Sequence, residues 1–358
     1  MTLKPSQSNT CRSGGCTLTG ALSVTTHVRN AVSVVHGPNG CTHHNFSLLH
    51  ATSLDNDDII VPSLVSSGLT ETDIIFGGEQ ALDRTLDAVM GNDPDAIFVL
   101  STCIVDTIGD DIGMVCRKER GVVVIPVPTA GFLGGSFQNG VNNALIALAG
   151  IAAPGNKTGD RNTGCDRGKI LSVNIIGEKN LEYEVDGNYA EVSRLLSAIG
   201  VPVNIRFVHN LPMEQIALLG AARLNILRDP ALVPVGEYLK KRFGTPYLPS
   251  FPSGISSTTA FLETVAGTYG VECQDAVANE QALQHATLAE FADLSGSTVS
   301  FENIHAEQDC IRTVRTVAQA LKVRIKKNGC PVPLPTTPPV GVSGVRRMLH
   351  RWRCAINA

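Results

Sequence analysis

The chain has 358 residues, enough for two or three domains, and 43% of them are hydrophobic, enough to fill their cores. Its formal net charge of −4, with no basic run interleaved with aromatics, argues against nucleic acid as the main partner. Ten cysteines are too few in this length for a small disulfide scaffold.

The start, MTLKPSQSNTCRSGG, is polar and lacks a signal-peptide core. Gly and Pro cut every apolar run short of the ~18–20 residues a membrane span needs. The expectation is a reduced, cytoplasmic chain with no membrane segment. After Cys16 comes a short stretch of helical pattern. Then apolar runs alternate with helical patterns, with strands expected at Ala31–Val35, Asp58–Pro62, Asp73–Phe76, Ala96–Leu100 and Val122–Pro126. Helices are expected at Glu79–Met90 and Asn139–Gly150. This alternation implies an α/β fold with a parallel sheet covered on both faces.

Residues 154–168, PGNKTGDRNTGCDRG, are polar and Gly-rich and read as a linker. A second α/β unit follows, with strands at Lys169–Ile176, Val201–Val208 and Asn225–Leu227. Its helices are expected at Tyr189–Ile199, Pro212–Ala222, Ala231–Phe243 and Ser256–Tyr269. After about residue 275 the pattern turns mostly helical: Ala278–Leu294, Glu307–Lys327 and a basic closing helix, Val342–Ile356, with one strand at Thr298–Phe301. The domain reading is therefore 1–153, a linker at 154–168, 169–275, and a reduced C-terminal region at 276–358.

Chemistry concentrates on Cys16, Cys41 and Cys103. Each sits in a Gly-rich or strand-end context, in GGCTLTG, HGPNGC and STCIVDTIGDD, with a helix expected to follow. A helix N-terminus favours negative charge and lowers a thiol pKa. Taken singly, each cysteine reads more simply as a buried structural residue. Zinc is the rival for the set, but zinc sites usually show close CxxC pairs, and none occurs. Three widely spaced thiolates on loops suit an iron–sulfur cluster better. Cys11 reads as an exposed bystander or a spare ligand, and His43 and His44 as surface or interface residues. Asp106, Asp110 and Asp111 read as helix-start charges or as a docking surface. The remaining cysteines read as structural. No Walker A lysine motif and no GxGxxG occurs, so nucleotide binding by this chain is not expected.

GGC with a second cysteine in HGPNGC, then TETDIIFGGEQAL, STCIVDTIGDD and PVPTAGFLGGSFQNG, in that order, resemble nitrogenase component 1. That family includes nitrogenase subunits, cofactor-assembly scaffolds, tetrapyrrole reductases and cyclases, and methylthio-alkane reductase. The motifs cover roughly residues 11–150, and a weaker likeness continues to about residue 270. The resemblance implies Rossmann-like parallel-sheet domains. It also implies that Cys16, Cys41 and Cys103 are ligands of an iron–sulfur cluster, a P-cluster-like 8Fe–7S or a 4Fe–4S group, shared with a partner subunit through Cys41. The CTLTGA and STC contexts look closer to the β-type subunit, implying an α-type partner, an ATP-dependent iron protein and a heterotetramer.

The family's β-type serine ligand falls in the loop GFLGGS, where Ser136 is near but Gly135 aligns. The third domain is strongly reduced, and ARLNILRD lacks the cysteine expected for an active-site metallocluster. The implied function is an electron-relaying subunit of a nitrogenase-like reductase, with methylthio-alkanes as the substrate class. The alternatives are a scaffold for cofactor assembly, or a homodimeric tetrapyrrole reductase or cyclase with one 4Fe–4S cluster.

Overall fold

The computed structural model describes residues 15–56, 61–132, 134–153, 170–182, 184–301, 308–335 and 337–357. Cys11, Cys165 and the expected linker at 154–168 lie outside the described residues. By contacts the chain divides into two compact units, one of residues up to 182 with 204–249, the other of 184–203 with 250–357.

Among the described residues the first unit begins with α1 (Thr17–Thr25), β1 (Ala31–His36) and α2 (Asn39–Asp55). Next come β2 (Leu64–Ser66), α3 (Glu71–Phe76), α4 (Glu79–Val89) and β3 (Ala96–Ser101). Short helices α5 (Cys103–Ile108) and α6 (Ile112–Cys116), then β4 (Val123–Val127) and α7 (Phe137–Ile151), complete the set. The four strands form one sheet in the order β2-β1-β3-β4, and every pair is parallel. β1 and β3 are central and buried at every residue, which is why AVSVVH and AIFVLS carry continuous apolar character rather than alternation.

Two expected strands differ. Asp73–Phe76 lies in helix α3, because Thr70 and Asp73 form a capping box that nucleates a helix from TETD. The strand expected at Asp58–Pro62 falls partly outside the described residues, and the strand that pairs with β1 is Leu64–Ser66.

The same unit holds a second sheet, order β6-β5-β7-β8, in which β7 runs parallel to both β5 and β8. Its strands are β5 (Ile170–Ile176), β6 (Val203–Phe207), β7 (Ala222–Leu227) and β8 (Tyr247–Leu248). The helix expected at Pro212–Ala222 is a 3-10 helix, Met213–Gly220, and the full helix α9 starts at Val233 and runs to Phe243. One apolar core serves both sheets, joining Phe98 and Leu100 of β3, Leu145 and Leu148 of α7, and Phe207, Leu227 and Leu239 of the second sheet and its helix.

The second unit contains α8 (Val185–Ala198), α10 (Ser256–Tyr269), α11 (Gln274–Glu290), α12 (Gln308–Ala320) and α13 (Gly341–Asn357). Helix α8 thus groups with the C-terminal region rather than with its sequence neighbours. The Glu191 carboxylate on α8 accepts from the Ser343 amide, and Arg194 bridges Glu191 and Glu280. The C-terminal region also holds a three-stranded parallel sheet, β10-β9-β11. Its strands are β9 (Thr298–Ser300), β10 (Arg324–Ile325) and β11 (Cys330–Pro331). Only β9 is visible in the sequence pattern, because two-residue strands are too short to show a period. Among the described residues no helix is long and apolar enough to cross a membrane.

Candidate metal-cluster site

The three cysteines of interest stand at three helix starts in the first unit. Cys16 is the N-cap of α1, Cys41 lies in the first turn of α2, and Cys103 is the first residue of α5. β1 and β3 are adjacent parallel strands, so the turns after His36 and Ser101 leave the sheet at the same carboxyl edge, where ligands of open α/β sheets gather. Thr102 stitches the two exits together, its N–H and hydroxyl both donating to the His36 carbonyl at 3.1 and 3.0 Å. Gly37 makes the stitch possible, since a Cβ there would lie 2.2 Å from the Thr102 hydroxyl.

None of α1, α2 and α5 has a side-chain cap on its N-terminal amides. By contrast α3, α6 and α7 are capped by Thr70, Asp111 and Ser136. The helix starts that bear the cysteines therefore keep their free N–H groups, which favour negative charge nearby. Cys41 is close enough to Cys16 and Cys103 to be influenced by both. Burial first, then these two neighbouring thiols, push its pKa up. The helix-terminus argument taken alone expects the opposite direction; desolvation and like-charge repulsion outweigh it at Cys41.

All three thiols are free, Cys16 exposed and the other two half-buried. Among the described residues no group of three His, Cys, Asp or Glu side chains is placed to hold a metal ion. Three sulfurs on separate helix starts, each near free amides, fit a larger anionic cluster with bridging atoms better than a single ion.

In the glycine-rich loop, Gly131 and Gly135 pack against α1. A Cβ at Gly135 would lie 2.5 Å from the Thr17 hydroxyl, and one at Gly131 would lie 3.0 Å from it. Ser136 is engaged elsewhere: its hydroxyl and backbone form a capping box with Asn139 at the start of α7. Asp110 is likewise engaged within the fold. Its carboxylate accepts from the buried His36 ring and from the Gly78 amide, fixing the FGG turn beside α5. Asp111 caps α6, while Asp106, His43 and His44 are exposed.

Cys116 is buried and burial pushes its thiol up to about 11; Cys310 donates to the Pro335 carbonyl and Cys330 to that of Ala355. These side chains fit structural roles. His36, Thr102 and Thr19 are absent from the sequence-derived site. A histidine closing a buried strand, in AVSVVH, is the one signal that could have marked the first of them.

A family model described as nitrogenase component 1 type oxidoreductase matches residues 16–300. The nitrogenase iron-molybdenum cofactor biosynthesis protein NifE of Clostridium pasteurianum is 32% identical over 262 residues, 72% of this chain and 54% of that protein. NifE of Methanococcus maripaludis is 30% identical over 296 residues, 80% of this chain and 59% of that one. The chain thus spans a little over half the length of these relatives. Among solved structures, "Nitrogenase Cp1 at pH 5" superposes with a TM-score of 0.68 at 22% identity, covering 90% of this chain and 65% of the other. That likeness concerns the fold.

Proposed function

Because the chain belongs to the family of nitrogenase component 1 type oxidoreductases, we propose that it is a cluster-holding subunit acting in the assembly of a nitrogenase-type metallocluster. Cys16, Cys41 and Cys103 would be the ligands of an iron–sulfur group. The observation that carries this is the presence of three free thiols at three uncapped helix starts of one unit, with Cys41 near enough to Cys16 and Cys103 to feel both. The relatives' names favour assembly over catalysis.

When bound, such a group stores and releases electrons over a wide range of potentials. The protein's part is to bind it through the three sulfurs, to stabilise negative charge with the α1, α2 and α5 amides, and to hold both strand exits in register through Thr102. Three sulfurs fall short of the four that an ordinary cubane takes, which supports a partner subunit completing the set. Phe132, 80% exposed, projects from the glycine-rich loop, and Ile75 and Phe76, 73% and 84% exposed, end α3, which packs on α5. Such apolar residues suit a protein partner at this face. We take that partner to be an α-type subunit in a heterotetramer, with an ATP-dependent iron protein as electron donor.

A second reading is supported by the family's description as oxidoreductases. There the same three cysteines serve a reductase subunit, with methylthio-alkanes as the substrate class expected from the sequence.

Anaerobic purification from the native host, followed by native mass spectrometry, iron and sulfide analysis, and incubation with a cluster-free acceptor protein, tests the proposal. A complex with a second, larger chain that passes metal to the acceptor supports assembly. Turnover with the cluster retained supports the reductase. Absence of iron and sulfide overturns both.

A further inference from the structure

Thr19 sits at the third residue of α1, one turn above Cys16, and is 2% exposed. Its hydroxyl lies 3.4 Å from the Cys16 sulfur. At the starts of α3 and α7 this third position carries Asp73 and Asn139, whose side chains reach back to the backbone amide of the capping residue. At α1 the capping position is Cys16, which makes no side-chain cap, and the third-position side chain meets sulfur instead. Gly15 leaves room for it: its φ is +83°, and a Cβ there would come within 3.0 Å of the Thr19 side chain. The neighbouring Thr17 hydroxyl is also buried, has no hydrogen-bond partner among the described residues, and faces the glycine-rich loop. The first turn of α1 thus brings one buried hydroxyl, that of Thr19, beside a cysteine.

We propose that Thr19 is a positioning and tuning residue, its O–H donating to the Cys16 sulfur to hold that sulfur in place and stabilise its negative charge when a cluster is bound. This rests on Cys16 being a ligand. The hydroxyl distinguishes Cys16 from Cys41, whose neighbours within the site are buried surroundings and two further thiols. Donors to cluster sulfurs make a cluster easier to reduce by offsetting its negative charge. Thr19 therefore raises the potential of whatever group the three cysteines hold.

The test compares the wild-type chain with Thr19→Val, which keeps the shape and removes the hydroxyl, and with Thr19→Ser, which restores it. In the iron-loaded protein, potentiometric EPR titration is expected to give a more negative midpoint for Thr19→Val at unchanged iron content, and the wild-type value for Thr19→Ser. The Fe–S vibrational bands of the wild type should shift in D2O, and that shift should shrink in Thr19→Val. In the metal-free protein, alkylation of Cys16 by iodoacetamide, read by peptide mapping, should slow about three- to ten-fold in Thr19→Val and recover in Thr19→Ser. Unchanged potential, vibrational bands and alkylation rate in Thr19→Val would overturn the proposal. Should the wild type hold no iron, the ligand assignment fails by itself. The alkylation rate then decides the Thr19 contact alone.

Discussion

The ring of His36 and the carboxylate of Asp110 lie 3.0 Å apart, Nε2 to Oδ2, with side chains 0% and 3% exposed. Asp110 also accepts from the Gly78 amide, and Ser67 links the other ring nitrogen to the Gly37 N–H. One buried pair therefore fixes the end of β1, the FGG turn and the loop after α5, the three segments that frame Cys41 and Cys103. Asp110→Ala leaves a ring N–H and an amide unpaired and should cost about 2–4 kcal/mol in urea unfolding. Asp110→Asn, which still accepts from one of them, should cost less.

Stability should fall on acidification below pH 6.5. Burial lowers the pKa of His36, with Asp110 opposing it, and burial together with His209 pushes His27 down to about 3. In both cases the folded state holds the ring neutral while the unfolded ring takes a proton near 6.5. Stability is thus fully present above that value and lost as pH drops towards the folded values. Urea midpoints measured from pH 8 to pH 5 should decline, and the decline should be shallower in His27→Gln.

Gly20 and Gly140 let α1 and α7 touch backbone to backbone. A Cβ at Gly20 would lie 2.0 Å from the Phe137 carbonyl oxygen, and one at Gly140 would lie 1.9 Å from that of Thr17. Because the obstacle is backbone in both cases, Gly140→Ala should cost more than about 3 kcal/mol or prevent folding. Gly267, in α10, has nothing within 4 Å of its would-be Cβ, so Gly267→Ala should stabilise by about 0.5–1 kcal/mol. Thermal melts of the two variants should move in opposite directions.

Cys41→Ala should remove most of the iron bound by the purified complex and loosen the partner subunit. Cys116→Ala, in the apolar core away from the site, should leave iron content unchanged. Equal iron in both variants would overturn the ligand assignment.

The central strands were legible because AVSVVH and AIFVLS are buried on both faces, and a parallel strand buried on both faces must be apolar throughout. The helix starts at Cys16, Cys41 and Cys103 were legible too, since a Gly-rich turn or the end of an apolar run precedes each. The segment DIIF was misread as a strand because four apolar-rich residues fit either period, and the deciding feature was the cap at Thr70. Strands β10 and β11 were not legible, being only two residues each.

By itself the sequence determined the family, the parallel α/β architecture and the placing of three cysteines at helix starts, because each depends on residue type and local spacing. Only the tertiary structure decided the direction of the Cys41 pKa, the placing of Asp110 against His36, and the meeting of Thr19 with Cys16. It also grouped α8 with the C-terminal region. The physical reason is the same in each case: burial, hydrogen-bond partnership and like-charge repulsion depend on which segments folding brings together, and residues 36 and 110 carry no mark of one another in the chain.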